Sequence, residues 1–165
     1  MSAEFDIQIN AKDLYRFNMR QAYTSSQGPI SIVIAILTFV MAGVTFSKGS
    51  IGYGILYVGI GILFLAYIPV TLLTRSKSTM KKNAVLSGVL HYHVSDEGIA
   101  ASQGEEQGLL EWNMIYKMIT TKRYVLIYSN RVSAYIIPRE QVAEQYEAFS
   151  EIAHKNLESY RIRMK

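Results

Sequence analysis

Two histidines that are close in the sequence are the residues best suited to chemistry. His91 and His93 are separated by one residue, and in a β-strand such residues project from the same face. Two imidazoles on one face can bind a metal ion together, but a tight site needs a third or fourth ligand. The sequence places none, and Glu97 and Glu111 are candidates by nearness alone. We therefore predict structural or exposed histidines, no metal and no cofactor.

The other polar residues show no arrangement typical of an enzyme. The chain has no cysteine, which excludes disulfides, thiolate metal sites and a cysteine nucleophile. Glu105 and Glu106 are adjacent in a glycine-flanked segment, and such neighbours do not form an acid–base pair of defined separation. The sequence has no glycine-rich phosphate loop, no Ser-His-Asp arrangement and no HExxH motif. We predict that the protein is not an enzyme.

Two long apolar runs precede these residues, at positions 30–46 and 51–73, and Lys48 is the only charged residue between 30 and 73. Each run is about long enough to cross a hydrocarbon core of ~30 Å as a helix. Neither has a charged face to present to water. The short connection between them suits an antiparallel helix pair. We predict a transmembrane helical hairpin at residues 29–74.

Basic residues are concentrated at the open ends of this hairpin. Arg16 and Arg20 precede it, and a cluster of four follows it: Arg75, Lys77, Lys81 and Lys82. The positive-inside rule therefore predicts a multi-pass protein of the cytoplasmic (cell) membrane with both termini in the cytoplasm. We assign the cluster to contact with anionic lipid headgroups, which attract basic residues by about 1 kcal/mol each. We predict no nucleic-acid binding, because the cluster is short and lacks interleaved aromatic residues.

Small residues recur every seven positions in both apolar runs. A seven-residue repeat keeps one stripe of a helix against its partner in a left-handed crossing. We predict that one such set packs the two helices of the hairpin together: Ala35, Ala42, Gly52, Gly59 and Ala66. The alternative is that Gly54 and Gly61, on another stripe, contact a neighbouring protomer in a homo-oligomer.

Residues 1–28 are predicted to form a cytoplasmic strand and an amphipathic helix. Positions 4–9 alternate between polar and apolar residues, which is typical of a strand. Asn10 and Asp13 have the spacing of a capping box at the start of a helix. That helix lies either on the membrane surface or against the cytoplasmic domain, and the sequence leaves both alternatives open.

A basic juxtamembrane linker at residues 75–84 leads to a β-rich region at 85–165. Turn signals separate short strands, beginning with a strand at 86–94 and ending with a hairpin at Asn130. A final helix is predicted at 140–160. A meander of short antiparallel strands closed by one C-terminal helix is the outline of a pleckstrin-homology-like split barrel. The predicted fold is thus an α+β membrane protein, with a transmembrane hairpin and such a domain.

Aromatic residues in the β region are interpreted first as packing. Trp112 is predicted to lie in the core of the small barrel, with a headgroup anchor as the alternative. Tyr124, Tyr128 and Tyr135 belong to the last predicted hairpin, and we expect them to form a cross-strand cluster.

Three motifs follow one another in this region: Ser95-Asp96-Glu97-Gly98-Ile99, Trp112-Asn113-Met114-Ile115-Tyr116-Lys117 and Ala134-Tyr135-Ile136-Ile137-Pro138-Arg139. They resemble the C-terminal domain of the YcxB-like family of bacterial membrane proteins. The segment 12–18 and the hairpin resemble that family too, so the resemblance covers nearly the whole chain. It implies a small two-span protein with a pleckstrin-homology-like cytoplasmic domain, and it implies no activity.

Two functional hypotheses follow. The first is a membrane-anchored, non-enzymatic binding or regulatory module whose cytoplasmic domain contacts a protein partner or anionic lipid. The alternative is an oligomeric membrane assembly or an accessory subunit of a transporter, in which Gly54 and Gly61 contact other chains. Transport by this chain alone is not expected, because hydroxyl groups are the main polar groups of the apolar runs. The sequence does not identify the ligand, the partner or the oligomeric state.

Overall fold

The chain folds into two long apolar helices and two β-sheets, which confirms the predicted α+β class. The structure is a computed structural model and describes residues 2–164, with the backbone alone at position 84. Positions 1 and 165, the outer limits of the predicted domains, lie outside the described residues. The chain divides into two compact units: residues up to 14 together with those from 79 onward, and residues 15–78.

Helix α1 spans Ala11–Thr24 and begins with the predicted capping box. The Asp13 amide donates to Asn10 Oδ1 at 3.1 Å, and the Asn10 amide donates to Asp13 Oδ2 at 3.0 Å. Both interactions bind backbone N–H groups at the start of the helix, where the regular helical hydrogen bonds are missing. The prediction of a helix start at this position is confirmed.

Helices α2, Gln27–Ser47, and α3, Ile51–Lys82, are each long and apolar enough to cross a membrane. Gly49, at a φ of 77°, ends α2 in a Schellman motif. Its amide donates to the Phe46 carbonyl, and the next amide donates to the Thr45 carbonyl. A left-handed backbone conformation at this position favours glycine. The last turns of α3 include most of the segment predicted as a basic linker.

The first sheet contains β1, Ala3–Ile7; β2, Leu90–Val94; β3, Gly98–Gln103; and β4, Glu106–Glu111. All neighbouring strands are antiparallel, in the order β1-β2-β3-β4. The N-terminal strand therefore belongs to the same sheet as the strands that follow the hairpin. The domain boundaries predicted from the sequence, at residues 28 and 85, separate this strand from the strands it pairs with. Pairing between strands so far apart in the chain leaves no local sequence signal.

The second sheet contains β5, Lys117–Thr120; β6, Tyr124–Tyr128; β7, Ala134–Pro138; and β8, Ile162–Arg163. Its order is β7-β6-β5-β8. The first three strands are antiparallel, whereas β8 pairs with β5 in parallel. Neither sheet is closed on itself.

Two predicted element boundaries are wrong. The strand predicted at 86–94 begins only at Leu90, because a short helix, α4, occupies Ala84–Ser87. Asn83 Oδ1 accepts the Leu86 amide at 3.3 Å and stabilises that turn. The helix predicted at 140–160 is limited to α5, Tyr146–Asn156, and the chain then extends toward β8.

Helix α5 contacts both sheets. The Phe149 ring lies 5.5 Å from the Phe5 ring of β1, and Phe5 stacks on Tyr92 of β2 at 5.7 Å. The Tyr146 hydroxyl lies 3.0 Å from the Thr120 hydroxyl of β5. Because Phe149 is fully buried, α5 fills the part of the interior next to β1.

Candidate functional site

The two histidines of β2 each face a carboxylate on β1. Glu4 is directly opposite His93 and Asp6 is directly opposite His91 in the strand register. His93 Nδ1 lies 2.8 Å from Glu4 Oε1, and His91 Nδ1 is in short contact with Asp6 Oδ1. All four side chains are about half exposed or more. The result is a ladder of two histidine–carboxylate pairs across the outer face of β1 and β2.

This ladder secures β1 on β2. Among residues 2–164 no group of three or more histidine, cysteine or acidic side chains is arranged to hold a metal ion. Exposed cross-strand pairs of this kind contribute about 0.2–1 kcal/mol each. Glu4 and Asp6 were missed as partners because they are more than 80 positions away in the chain. The available signal was the matching two-residue spacing in both strands.

The basic cluster lies on the last turns of α3. It consists of Arg75, Lys77, Lys81 and Lys82. All four side chains are exposed, and within the described part of the chain none of them forms an ion pair with an acidic side chain. At 3.6 residues per turn, Arg75 and Lys82 project from one side of the helix, whereas Lys77 and Lys81 project from the opposite side. The cluster therefore surrounds the helix and does not form a single basic face.

Small residues also recur on the buried face of α2. Ala35 and Ala42 are buried, and Gly28, one repeat earlier, is covered by Tyr23. On α3 the buried glycines are Gly54 and Gly61. The seven-residue repeat is thus present on both helices.

The glycine stripe assigned to packing on α3 is the wrong one. A Cβ on Gly54 would lie 2.4 Å from the Phe46 ring, and one on Gly61 would lie 2.9 Å from the Phe39 ring. At Gly52 and Gly59 a Cβ would have no heavy atom within 4 Å outside its own helix and chain neighbours. Ala66, in the same predicted stripe, is exposed.

The physical reason is the volume of the facing residues. The bulky Phe39 and Phe46 of α2 need space on α3, and only the stripe of Gly54 and Gly61 provides it. In the alternative interpretation of the sequence, that stripe contacts another protomer. In the structure its surface is covered by the rings of α2.

The aromatic prediction is confirmed at Trp112. Its side chain is buried, and its indole N–H donates to the Ser95 carbonyl at 3.0 Å. The residue lies in a single 3₁₀ turn, Trp112–Met114, between β4 and β5. It is a core residue with its one polar group satisfied, as buried tryptophans usually are.

The predicted tyrosine cluster is wrong because of strand register. Tyr135 is paired with Ile127, so it lies on the opposite face of the sheet from Tyr124 and Tyr128. The Tyr124 hydroxyl instead donates to Asp13 Oδ1 at 2.7 Å in a buried contact. The capping carboxylate thereby also contacts β6.

A second acidic residue connects the turn between β2 and β3 to α5. Asp96 accepts hydrogen bonds from Lys155 Nζ at 2.9 Å and from Asn156 Nδ2 at 3.2 Å. These hydrogen bonds, the one from Lys155 above all, hold the pKa of Asp96 below its ordinary value. The contact lies at the C-terminal end of α5, where a cation is favoured by the helix dipole.

An apolar cavity of about 400 Å³ lies between the two sheets. Its walls include Tyr92 and Ile99 of the first sheet, and Ile127 and Tyr135 of the second. Burial, with a smaller contribution from Tyr135, raises the pKa of Tyr92 to about 12. The phenol is therefore neutral at physiological pH. The sequence analysis missed this cavity, which depends on pairs of residues in different strands.

Part of the β-rich region is similar to a known protein family. A family model described as YcxB-like protein matches residues 94–153, a range that extends from the end of β2 into α5. No curated protein and no solved structure matches the chain. All three motifs of the predicted C-terminal resemblance lie within the matched range, whereas the segment 12–18 and the hairpin lie outside it. Residues 94–153 are therefore similar to the YcxB-like family.

Proposed function

We propose that this protein is a membrane-anchored, non-enzymatic binding module whose pleckstrin-homology-like domain is held at an anionic lipid surface on the cytoplasmic side. The observation that carries the proposal is the pairing of β1 with β2. The chain leaves the sheet after β1, passes through α2 and α3, and returns to the neighbouring strand. Two crossings would bring it back to the side from which it started, as this pairing requires.

The exposure of the two helices supports a lipid environment. In the most apolar 18-residue stretch of α2 and of α3, only 17% and 6% of residues are buried. Leu37 and Leu63 are examples, with 59% and 69% of their surface exposed. Soluble proteins rarely expose contiguous apolar patches larger than a few hundred Å². Core helices of a soluble protein would be covered.

The strand arrangement supports a pleckstrin-homology-like domain. Strands β1 to β7 form two open, largely antiparallel sheets, and α5 follows them in the chain. In this proposal the hairpin is an insertion between the first and second strands of the domain. Strand β8 is an addition at the edge formed by β5.

The position of the basic cluster supports lipid as the contact. Headgroups surround a membrane helix on all sides, whereas a protein partner approaches from one side. Arg75 and Lys82 on one side of α3, with Lys77 and Lys81 on the other, fit the first situation. The positive-inside rule places this end of the helix in the cytoplasm.

Topology can be tested because the chain contains no cysteine. Single substitutions Ser2→Cys, Lys48→Cys and Glu105→Cys each introduce a unique thiol. In intact cells a membrane-impermeant maleimide should label only the Lys48→Cys protein, and it should label all three after permeabilisation. Labelling of Ser2→Cys and Lys48→Cys from the same side would overturn the two-span arrangement. Labelling of both Ser2→Cys and Glu105→Cys, with Lys48→Cys protected, would reverse its orientation.

The lipid contact can be tested by thermal unfolding in nanodiscs of zwitterionic lipid, with and without an anionic lipid. Anionic lipid should raise the melting temperature, because a headgroup that binds the folded protein stabilises it. Substitution of the basic cluster by glutamine should remove most of that increase, at about 1 kcal/mol per residue. A matched control changes the same number of exposed basic residues elsewhere: Lys12, Lys122, Arg123 and Arg131. Equal losses in both variants would show an effect of net charge and contradict the proposed contact.

A further inference from the structure

We infer that the cavity between the two sheets is a binding site for a small amphiphile with an apolar chain and a cationic or hydrogen-bond-donating head. This inference concerns a site separate from the basic cluster. It stands whichever lipid the cluster contacts.

The cavity originates in one row of inward-facing residues. Across the first sheet, Phe5 is paired with Tyr92, Tyr92 with Ala101, and Ala101 with Gly108. Side-chain volume falls along this row from two aromatic rings to a methyl group and then to hydrogen. The aromatic half is covered by Phe149 of α5. The half beside β4 has no side chain long enough to fill it.

The neighbouring rows give the cavity an apolar end and a polar end. Two positions from the small residues in one direction are Ile99 and Leu110, which are paired with each other. Two positions in the other direction are Gln103 and Glu106, which are also paired. All four residues line the cavity. Alternation of side chains along a strand places them on the same face.

Helix α4 forms a further part of the wall. Val85 and Leu86 line the cavity. The side-chain amide of Gln103 donates to the carbonyl groups of Val85 and Val89, at 3.2 and 3.4 Å. These hydrogen bonds hold the segment before β2 against β3, so this part of the wall is fixed by the fold.

The lining defines the class of ligand. A volume of about 400 Å³ lies within the range of small-molecule sites, roughly 300–1,000 Å³. Its mostly apolar walls favour a ligand with an apolar chain. At the polar end, Glu106 is exposed and forms no ion pair within residues 2–164. The Gln103 side chain uses its N–H₂ group for the wall, which leaves its carbonyl oxygen as an acceptor. Acceptors and negative charge favour an amine over a carboxylate or a phosphate.

Binding can be measured on the full-length protein in nanodiscs by calorimetry, with empty nanodiscs as the reference. Octylamine, octanol and octanoate share one chain and differ in the head. Saturable binding should be strongest for octylamine and weakest for octanoate. Absence of saturable binding beyond that of empty nanodiscs, for all three compounds, would overturn the site.

A filling variant and a neighbouring control locate the ligand. Ala101→Phe places a ring in the cavity and should weaken binding of all three compounds by roughly tenfold or more, because the space is lost. Ala100→Phe adds the same ring on the outer face of the same strand and should leave binding unchanged. If Ala101→Phe unfolds the protein, Gly108→Leu fills the cavity from the neighbouring strand β4, where an added Cβ meets no atom within 4 Å. Equal binding by filling and control variants would overturn the assignment.

The head preference is tested at Glu106. Glu106→Gln should weaken the binding of octylamine by about fivefold, which is the contribution of an exposed ion pair. The affinity for octanol should stay unchanged. An unaltered octylamine affinity, or octanoate binding as tight as octylamine, would overturn the cationic head while the Ala101 variants still decide the apolar site.

Discussion

The interior of the domain is filled next to β1 and open next to β4. Both regions belong to one face of one sheet, and they differ in the residues of a single paired row. On the filled side, Phe5 and Tyr92 are stacked and Phe149 of α5 covers Phe5. On the open side, Ala101 and Gly108 leave a cavity. Close packing is therefore a local property set by side-chain volume across strands.

The helical hairpin shows the same contrast between a packed and an open face. Gly54 and Gly61 lie under aromatic rings of α2, whereas Gly52 and Gly59 have open space. Each stripe has the same period and the same residue type, so the period does not distinguish them. In both units the facing residues decide which surface is packed.

The largest effect is expected from a truncation in the filled region. Phe149→Ala should lower the free energy of unfolding by about 3–5 kcal/mol, because it removes a fully buried ring and leaves a void. Leu110→Ala, at the wall of the existing cavity, should cost only about 1–2 kcal/mol. Denaturant titration followed by the fluorescence of Trp112, the single tryptophan, measures both. Equal costs would mean that the two regions are packed alike.

The next effect tests the same contrast in the hairpin. Gly61→Leu should lower the free energy of unfolding by about 1–3 kcal/mol through overpacking, since the Phe39 ring and the Thr38 hydroxyl already occupy that space. Gly59→Leu, on the open face, is the matched control and should have little effect. Unfolding in mixed micelles measures both variants. A larger loss for Gly59→Leu would restore the stripe predicted from the sequence.

The sequence predicted those features that depend on neighbours in the chain. The capping box of Asn10 and Asp13 is local, so its spacing alone identified the start of α1. The apolar helices follow from composition over a long window. The β-hairpin at Asn130 follows from alternation and turn residues.

Features that depend on distant pairing could not be predicted in this way. The pairing of Glu4 with His93, the cavity lined by Ala101 and Tyr135, and the contact of Tyr124 with Asp13 each join segments tens of residues apart. The strand register also determines on which face of the sheet each tyrosine lies, because shifting a strand by one residue changes the face of every side chain. Strand β8 ended α5 early for a similar reason: its partner, β5, is more than 40 residues away.

Tyr92 lies between the filled and the open region, and its titration tests whether water reaches its phenol group. Its pKa is raised from 10.0 to about 12 in the folded state. As pH rises from about 10 to about 12, the unfolded chain loses this proton first, so folding stability falls. Tyr92→Phe lacks this contribution. Over that pH range the free energy of unfolding of the wild type should therefore fall relative to that of the variant. A constant difference would mean that water reaches the phenol.

The smallest effect concerns the contact that holds the end of α5, the helix that fills the interior. The pKa of Asp96 is lowered in the folded state, first by the hydrogen bond from Lys155 and then by that from Asn156. Such a group stabilises the fold above its unfolded pKa, near 3.8, and that contribution is lost as pH falls through the lower folded value. Wild type should thus exceed Asp96→Asn in stability at neutral pH, and the two should converge in acid. Lys155→Met should abolish most of the difference, because the two residues act as a pair. Because the carboxylate is exposed, salt should also reduce it. A difference that persisted in acid would assign the role of Asp96 to the geometry of its turn and not to its charge.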